Sequence, residues 1–144
     1  IMPSLVGSEM CIRDSIRTNL PQDMGLEQQR QVVDAIHQAL VDAIGMPVDE
    51  LFNLVTPYAP GQFACSRSFN GVVRSERVVV VEITMRRGRS DAMKRALYAG
   101  IARNLEAHAR VAPADLFIFV HENDYSDWSV GHGAFAMALV QQRA

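Results

Sequence analysis

The chain has 144 residues, 49% of them hydrophobic and 21% charged, which is the composition of one ordinary globular domain. A net charge of −2 excludes the strongly basic surface typical of nucleic-acid binding, and no apolar run approaches the roughly 18 residues that span a bilayer. The two cysteines, Cys11 and Cys65, belong to no CxxC or Cys/His cluster. We therefore expect free thiols in a reducing compartment, the cytoplasm, and neither a metal site nor a cofactor.

Residues 1–15 do not share the patterns of the rest of the chain. They show no strand alternation and no helical stripe, they lack the basic start of a signal peptide, and Glu9 interrupts any apolar region. We interpret this segment as translated sequencing-adapter read-through joined to a gene fragment, with a disordered tail as the alternative. The folded domain is therefore predicted to cover 16–144.

From Ile16 onwards the chain repeats itself with one gap-free offset. The pattern LFNLV at 51–55 returns as LFIFV at 116–120, an offset of 65 residues because 116 − 51 = 65. The same offset pairs the apolar positions of two helical stripes: Val32 with Leu97, Ile36 with Ile101 and Leu40 with Leu105. Duplication of one β-α-β unit explains this most economically.

The first unit, 16–56, is predicted to contain a strand at 16–20, a helix from about Leu26 to Ile44, and a strand at 51–56. Apolar residues at 3.6-residue spacing define the helix, and the glycine after it is a natural C-cap.

The second unit, 78–122, repeats this order. A buried strand at 78–85 is followed by a helix with Ser90 as its predicted N-cap, and a continuously apolar strand lies at 116–120. A linker, 57–77, joins the units, and 123–144 forms a C-terminal segment.

A helical crossover makes the two strands of each unit parallel. The predicted fold is therefore α+β, a four-stranded sheet with two helices on one face. Its open edges favour association between copies of the chain.

Between the strand at 78–85 and the second helix lies a cationic turn that carries Arg87 and Arg89. A helix N-terminus favours anions because its first amides lack partners and the helix dipole is positive there. The turn is therefore predicted to hold the carboxylate of a small organic acid, and a solvated turn with surface charges is the alternative.

Three features together resemble the tautomerase superfamily, and in particular its malonate semialdehyde decarboxylase-like branch. They are the pair of β-α-β units, the Gly-Arg-Ser turn at 88–90, and the segment DWSVGHG at 127–133. The resemblance covers about Ile16 to Leu139. It implies a homotrimer and a cofactor-free enzyme whose N-terminal proline serves as general base or acid. A free α-amine titrates near pH 8, and burial beside cations lowers its pKa towards neutrality, where proton transfer is efficient.

The chain departs from this family at the proline. The resemblance puts the catalytic position at Asp14, and Pro3 is preceded by two residues, so its amide nitrogen is not basic. We infer that a Met-Pro start before Ile16 was lost where the foreign segment joins. The chain is therefore expected to lack its main catalyst.

Other site residues follow from the resemblance. Arg87 and Arg89 match the arginines that the decarboxylase branch uses on the substrate carboxylate, a role suited to the bidentate guanidinium. Glu50 matches an acid near the proline, with an exposed loop acid as the alternative. Trp128 matches an aromatic that walls the pocket, with core or interface packing as the alternative.

Two further groups of residues are less informative. The arginine of the monofunctional tautomerases is replaced by Phe52 and Phe117, which argues against the dicarboxylate subtype. His132 is expected to be a loop histidine, and the linker arginines cannot be placed from sequence.

Three functions remain open. The first is an enzyme acting on a small oxo acid by enol–keto tautomerisation or by decarboxylation of a beta-oxo acid. The second is a non-catalytic oligomeric binding protein for small carboxylates on the same fold. The third is a ferredoxin-like regulatory module that binds an anionic metabolite.

Overall fold

The computed structural model describes residues 14–135. It contains six main elements, namely β1 (Ser15–Pro21), α1 (Leu26–Ile44), β2 (Asn53–Tyr58), β3 (Val79–Arg86), α2 (Asp91–Ala109) and β4 (Leu116–Asn123). This order is the predicted pair of β-α-β units. The interpretation of 1–15 falls almost entirely outside the described residues, as does the part of the C-terminal segment after residue 135. Ser15 is described, and it is the first residue of β1.

The helix limits agree with the sequence pattern more closely than the strand limits. Helix α1 has the predicted bounds, and Gly45 ends it in the left-handed conformation with φ 75°. Strand β2 begins two residues later than predicted, at Asn53. The chain before it is occupied by a turn in which the Glu50 N–H donates to the Pro47 carbonyl at 3.1 Å, and Leu51 and Phe52 are exposed.

The sheet has the strand order β2-β1-β3-β4. Strands β1 and β2 are parallel, as are β3 and β4, while β1 and β3 are antiparallel. In the first unit Ile16 lies opposite Asn53, and in the second Val81 lies opposite Ile118. Both residues of the second pair are 65 positions after those of the first, because 81 − 16 and 118 − 53 both equal 65. The repeat seen in the sequence is thus confirmed at the level of strand register.

Both helices pack on one face of the sheet and on each other. The buried face of β3 consists of alternate residues, and Val79, Val81, Ile83 and Met85 are fully buried. The helical stripes meet this face through Ile36 and Ile101, among others. Burial of each such side chain stabilises the fold by roughly 1.5–3 kcal/mol. Among residues 14–135, no helix is long and apolar enough to cross a membrane.

The other face of the sheet carries an aromatic row along β4. Ile118 packs against the core, so its neighbours Phe117 and Phe119 point to the opposite side. Their rings form an edge-on pair at 6.2 Å, and His121 continues the row at 5.3 Å from Phe119. Phe69 of the linker lies beside Phe117 at 6.4 Å. This face has no helix on it within the described part of the chain.

Candidate active site

One end of the sheet gathers the residues that the sequence singled out. The N-terminal ends of β1 and β2 lie there together with the C-terminal ends of β3 and β4, because β1 runs antiparallel to β3. We call this region the arginine corner and define it by Asp14, Glu50, the turn 86–90 and the segment 123–128. The topology therefore brings Glu50, Arg87, Arg89 and Trp128 to one end of the molecule.

Arg89 is buried in the arginine corner and already holds a carboxylate. Its Nη1 donates to Oδ1 of Asp14 at 3.0 Å, and its Nη2 donates to Oδ2 at 3.2 Å. The side chains of Arg89 and Asp14 are only 4% and 0% exposed. The guanidinium thus makes the predicted bidentate contact with a carboxylate, and in this chain that carboxylate belongs to Asp14.

Burial dominates the acid-base behaviour of Asp14. Desolvation raises the pKa of this carboxyl to about 6, although the charge and hydrogen bonds of Arg89 and a backbone hydrogen bond from Arg86 act in the opposite direction. Removal from water therefore outweighs even a bidentate guanidinium. Asp14 changes its protonation state close to neutrality, unlike an ordinary aspartate.

Arg87 has different surroundings from Arg89. Its side chain is 60% exposed, and its Nε donates to Oδ1 of Asp124 at 3.3 Å. Gly88 between the two arginines has φ 115°, a conformation that a residue with a side chain rarely adopts. The turn thus directs one guanidinium into the protein and leaves the other at the surface.

The start of α2 forms as the sequence predicts. The Ser90 hydroxyl accepts a hydrogen bond from the Met93 amide at 3.2 Å, and Asp91 lies in the first turn. Ser90 is therefore the N-cap, and it anchors the helix directly after Arg89.

Trp128 is half-buried beside the end of β4. Its indole Nε1 donates to Oδ1 of Asn123 at 2.7 Å. A short 3-10 turn, Tyr125–Asp127, separates these two residues, and it is closed at its start by a reciprocal pair of hydrogen bonds between Asp124 and Asp127. Trp128 is therefore held in a fixed orientation at the wall of the corner.

Sequence reasoning missed three members of this corner. Arg86 places its guanidinium 5.4 Å from the ring centre of Tyr125, a cation–π arrangement, and Asn123 holds the indole of Trp128. Tyr125 is half-buried. The strand-end position of Arg86 and Asn123 was the available signal, since both lie just beyond the predicted strands.

The remaining predicted residues have distinct positions. Glu50 is half-buried, so it is not the fully exposed loop acid that was the alternative. His132 is exposed and has φ 59°, in a loop between two glycines. Within residues 14–135, no group of three or more His, Cys, Asp or Glu side chains is arranged to hold a metal ion.

The corner can bind a carboxylate and move protons near neutral pH. A buried guanidinium with a neighbouring backbone donor is complementary to a planar carboxylate. Glu50 contributes a second acid at the start of β2, and Trp128 with Tyr125 provides aromatic surface that excludes water.

Comparisons with known proteins agree with this arrangement. A family model described as tautomerase enzyme matches residues 50–131, more than half of the chain. The probable tautomerase YusQ of Bacillus subtilis strain 168 is 29% identical over 102 residues, which cover 71% of this chain and 80% of that protein.

Solved structures match over a longer range. FG41 malonate semialdehyde decarboxylase, solved with inhibition by 3-bromopropiolate, is 32% identical with a TM-score of 0.81, over 89% of this chain and 96% of that one. A fused 4-OT, solved as an asymmetric trimer, is 24% identical with a TM-score of 0.72, over 87% of this chain and 98% of that one. The second likeness concerns the fold alone.

Proposed function

Because the chain belongs to the tautomerase family, in its malonate semialdehyde decarboxylase-like branch, we propose that its fold serves a cofactor-free reaction on a small oxo acid. The reaction is enol–keto tautomerisation or decarboxylation of a beta-oxo acid. The related FG41 enzyme, which is inhibited by a small acetylenic acid, supports a substrate of this size and charge.

One observation carries this proposal, namely the carboxylate held by Arg89. A guanidinium that is 4% exposed and paired at 3.0 and 3.2 Å is a preformed receptor for a carboxylate. Burial strengthens the contact because little water competes for the charges. Arg87 lies at the surface of the same turn, and we assign it the entry side of the site, where it attracts the acid.

The complete reaction requires an amine at the position that Asp14 occupies here. In tautomerisation, the unprotonated amine removes a proton beside the substrate carbonyl and returns it to another atom of the enolate. In decarboxylation, the protonated amine polarises the carbonyl while the arginines hold the carboxylate. The carbon–carbon bond breaks, carbon dioxide leaves, and its electron pair forms an enolate that then takes up a proton. Glu50 orients water or sets the pKa of the amine, and Trp128 shields the intermediate.

In the chain as given, we propose that this catalysis is impaired for two reasons. Asp14 supplies no amine, and its carboxylate occupies the guanidinium that would hold the substrate. The same contact favours the alternative function, a non-catalytic oligomeric protein that binds small carboxylates. Such a protein would keep the arginine and dispense with the proline.

We further propose that the chain forms a homotrimer and resides in the cytoplasm. The fused 4-OT is a trimer with the same fold, and the aromatic row along β4 offers an apolar surface for a neighbouring copy. Light scattering after gel filtration measures the assembly directly, and a monomeric mass at micromolar concentration would contradict this part of the proposal.

The activity is tested by restoring the amine. A variant that begins at position 14 with Asp14→Pro, after removal of the initiator methionine, has a free secondary amine at the start of β1. We expect it to ketonise phenylenolpyruvate or to decarboxylate malonate semialdehyde, measured by ultraviolet absorbance and by enzyme-coupled aldehyde consumption. The full chain should stay within about tenfold of the buffer rate because general acid–base catalysis alone contributes about 10²–10⁴-fold.

A matched control is the full chain with Asp14→Ala. It frees Arg89 without adding an amine, so it should bind 3-bromopropiolate or pyruvate more tightly than the parent and still show no turnover. Turnover by the parent chain equal to that of the proline variant would overturn the assignment of the amine. Binding without turnover in the proline variant would instead select the non-catalytic alternative.

A further inference from the structure

A second cavity lies at the opposite end of the sheet from the arginine corner. It has a volume of about 440 Å³ and is bounded by the end of β1, the end of β2, the start of β3 and part of the linker. We call it the distal cavity. None of the residues predicted for catalysis lines it.

The distal cavity is the internal-repeat equivalent of the arginine corner. The Gln22 N–H donates to the Tyr58 carbonyl at 2.8 Å, and 65 residues later the Arg87 N–H donates to the Asn123 carbonyl at 2.8 Å.

The turns that follow β2 and β4 also correspond. The Ala59 amide donates to the Gln62 side chain at 3.0 Å, and 65 residues later the Asp124 amide donates to the Asp127 side chain at 2.9 Å. The duplication has therefore preserved the backbone frame of a binding corner at both ends of the sheet.

The floor of the distal cavity is aromatic. The rings of Tyr58 and Phe63 are tilted against each other with centroids 5.2 Å apart. Phe63 is the repeat equivalent of Trp128, because 128 − 63 = 65. The Tyr58 hydroxyl donates to the Val78 carbonyl, and burial raises the pKa of this phenol, so it remains a protonated donor. A flat ring in the cavity would find apolar surface with the adjacent phenol hydroxyl already satisfied.

Two arginines from the linker stand at the rim of this floor. Arg77 donates from Nη1 to both carboxylate oxygens of Asp23, at 3.0 and 3.2 Å, and Arg67 lies 3.3 Å from Glu76. Both pairs are solvated, with side-chain exposures of 48% and 72% in the first and 52% and 88% in the second. Exposed pairs of this kind contribute little to stability, so a ligand carboxylate can replace the acidic partner with small loss.

We propose that the distal cavity is a binding site for a small aromatic carboxylate, with its ring on Tyr58 and Phe63 and its carboxylate on Arg77. The aromatic floor selects a planar apolar body, and the guanidinium selects a negative group at its edge. This site is separate from the reaction proposed for the arginine corner, and either proposal can fail without the other.

Isothermal titration of the full chain with 2-naphthoate tests the site, with 2-naphthylmethanol as the uncharged control. We expect saturable binding of the acid, at least about tenfold weaker binding of the alcohol, and a similar loss in Arg77→Ala. Asp23→Ala should bind the acid more tightly than the parent because it frees Arg77. A gain of affinity on removing an exposed acid is not expected from a purely structural role.

Arg87→Ala is the matched control because it removes an exposed guanidinium from the other corner. It should leave naphthoate binding within about twofold of the parent. Loss of binding in Arg87→Ala with retention in Arg77→Ala would overturn the proposal, as would the absence of saturable binding to the parent chain.

Cys65 provides an independent readout because its exposed thiol lines the cavity. Saturating 2-naphthoate should slow its alkylation by iodoacetamide, followed by peptide mass spectrometry that separates Cys65 from Cys11. Phe63→Ala should lose this protection together with binding. Protection that persists in Phe63→Ala and Arg77→Ala would place the ligand elsewhere and overturn the assignment.

Discussion

The two ends of the sheet share one backbone frame but differ in what fills it. In the arginine corner, the buried positions after β3 and before β1 are Arg89 and Asp14. Their repeat equivalents at the other end, 65 residues away, are Met24 and Val79, which are 4% and 0% exposed. One duplicated frame therefore holds an ion pair at one end and an apolar pair at the other.

This difference bears on function because burial of an ion pair is not an efficient way to stabilise a protein. Removal of two charges from water costs several kcal/mol for each ion, and an apolar pair of similar volume is often as stable or more so. The first unit demonstrates that methionine and valine fit this frame. We infer that Arg89 is present for its affinity for carboxylates and that Asp14 neutralises it in this chain.

The largest predicted effect comes from breaking the ion pair on one side. Arg89→Met leaves the Asp14 carboxyl buried without its guanidinium, and Asp14→Val leaves Arg89 buried without its carboxylate. Each change should lower the free energy of unfolding by about 3–5 kcal/mol, because an uncompensated buried charge remains. Urea denaturation at pH 7.5, followed by circular dichroism, measures both.

The double variant, Asp14→Val with Arg89→Met, copies the apolar pair of the first unit and is the decisive control. It should unfold within about 1 kcal/mol of the parent or at higher urea, since both charges are gone. If the double variant were as unstable as the sum of the two single changes, the two corners would not be interchangeable and the comparison would fail.

The second predicted effect is a dependence of stability on pH. The pKa of Asp14 is raised to about 6 in the folded chain from an ordinary value of 3.8, so the folded state binds its proton more tightly. The stabilisation by the protonated carboxyl is fully present below pH 3.8 and is lost as the pH rises through about 6. The shift corresponds to about 3 kcal/mol, at about 1.4 kcal/mol for each pKa unit.

Urea denaturation at half-unit steps from pH 4 to pH 7.5 measures this slope. The double variant with Asp14→Val and Arg89→Met is the reference because it keeps every other titrating group. The parent should lose stability relative to the reference between pH 4 and pH 6 and then run parallel to it. A relative stability that rises over the same range would show that Arg89 lowers the pKa of Asp14 more than burial raises it.

The fold was predictable because the hydrophobic pattern alone specifies it. Two stripes at helical spacing and four apolar runs, all related by an offset of 65 residues, determine the parallel pairing within each unit and its register. Strand ends were less certain, as at Asn53, because exposed apolar residues such as Phe52 extend the pattern beyond the hydrogen-bonded strand.

The site was predictable in its location but not in its contacts. The sequence correctly brings Arg87 and Arg89 to one turn, and their roles in substrate binding remain predictions. Their unequal burial depends on which way Gly88 turns the chain, and adjacent letters do not reveal this. The contact between Arg89 and Asp14 joins residues 75 positions apart, and Asp14 fell in a segment that sequence reasoning set aside.

The smallest predicted effect concerns the two helix starts, which are again repeat equivalents. Ser90 caps α2 through its hydroxyl, whereas Gly25 begins α1 without a side-chain hydrogen bond. Gly25 has φ −64°, and a Cβ built on it meets nothing within 4 Å, so a serine fits there without strain. Ser90→Ala should destabilise the chain by about 1 kcal/mol, and Gly25→Ser should stabilise it by a few tenths, since glycine caps helices almost as well as serine. Thermal unfolding of both variants beside the parent measures the pair. A loss of stability in Gly25→Ser would show that the two helix starts differ in more than the missing hydroxyl.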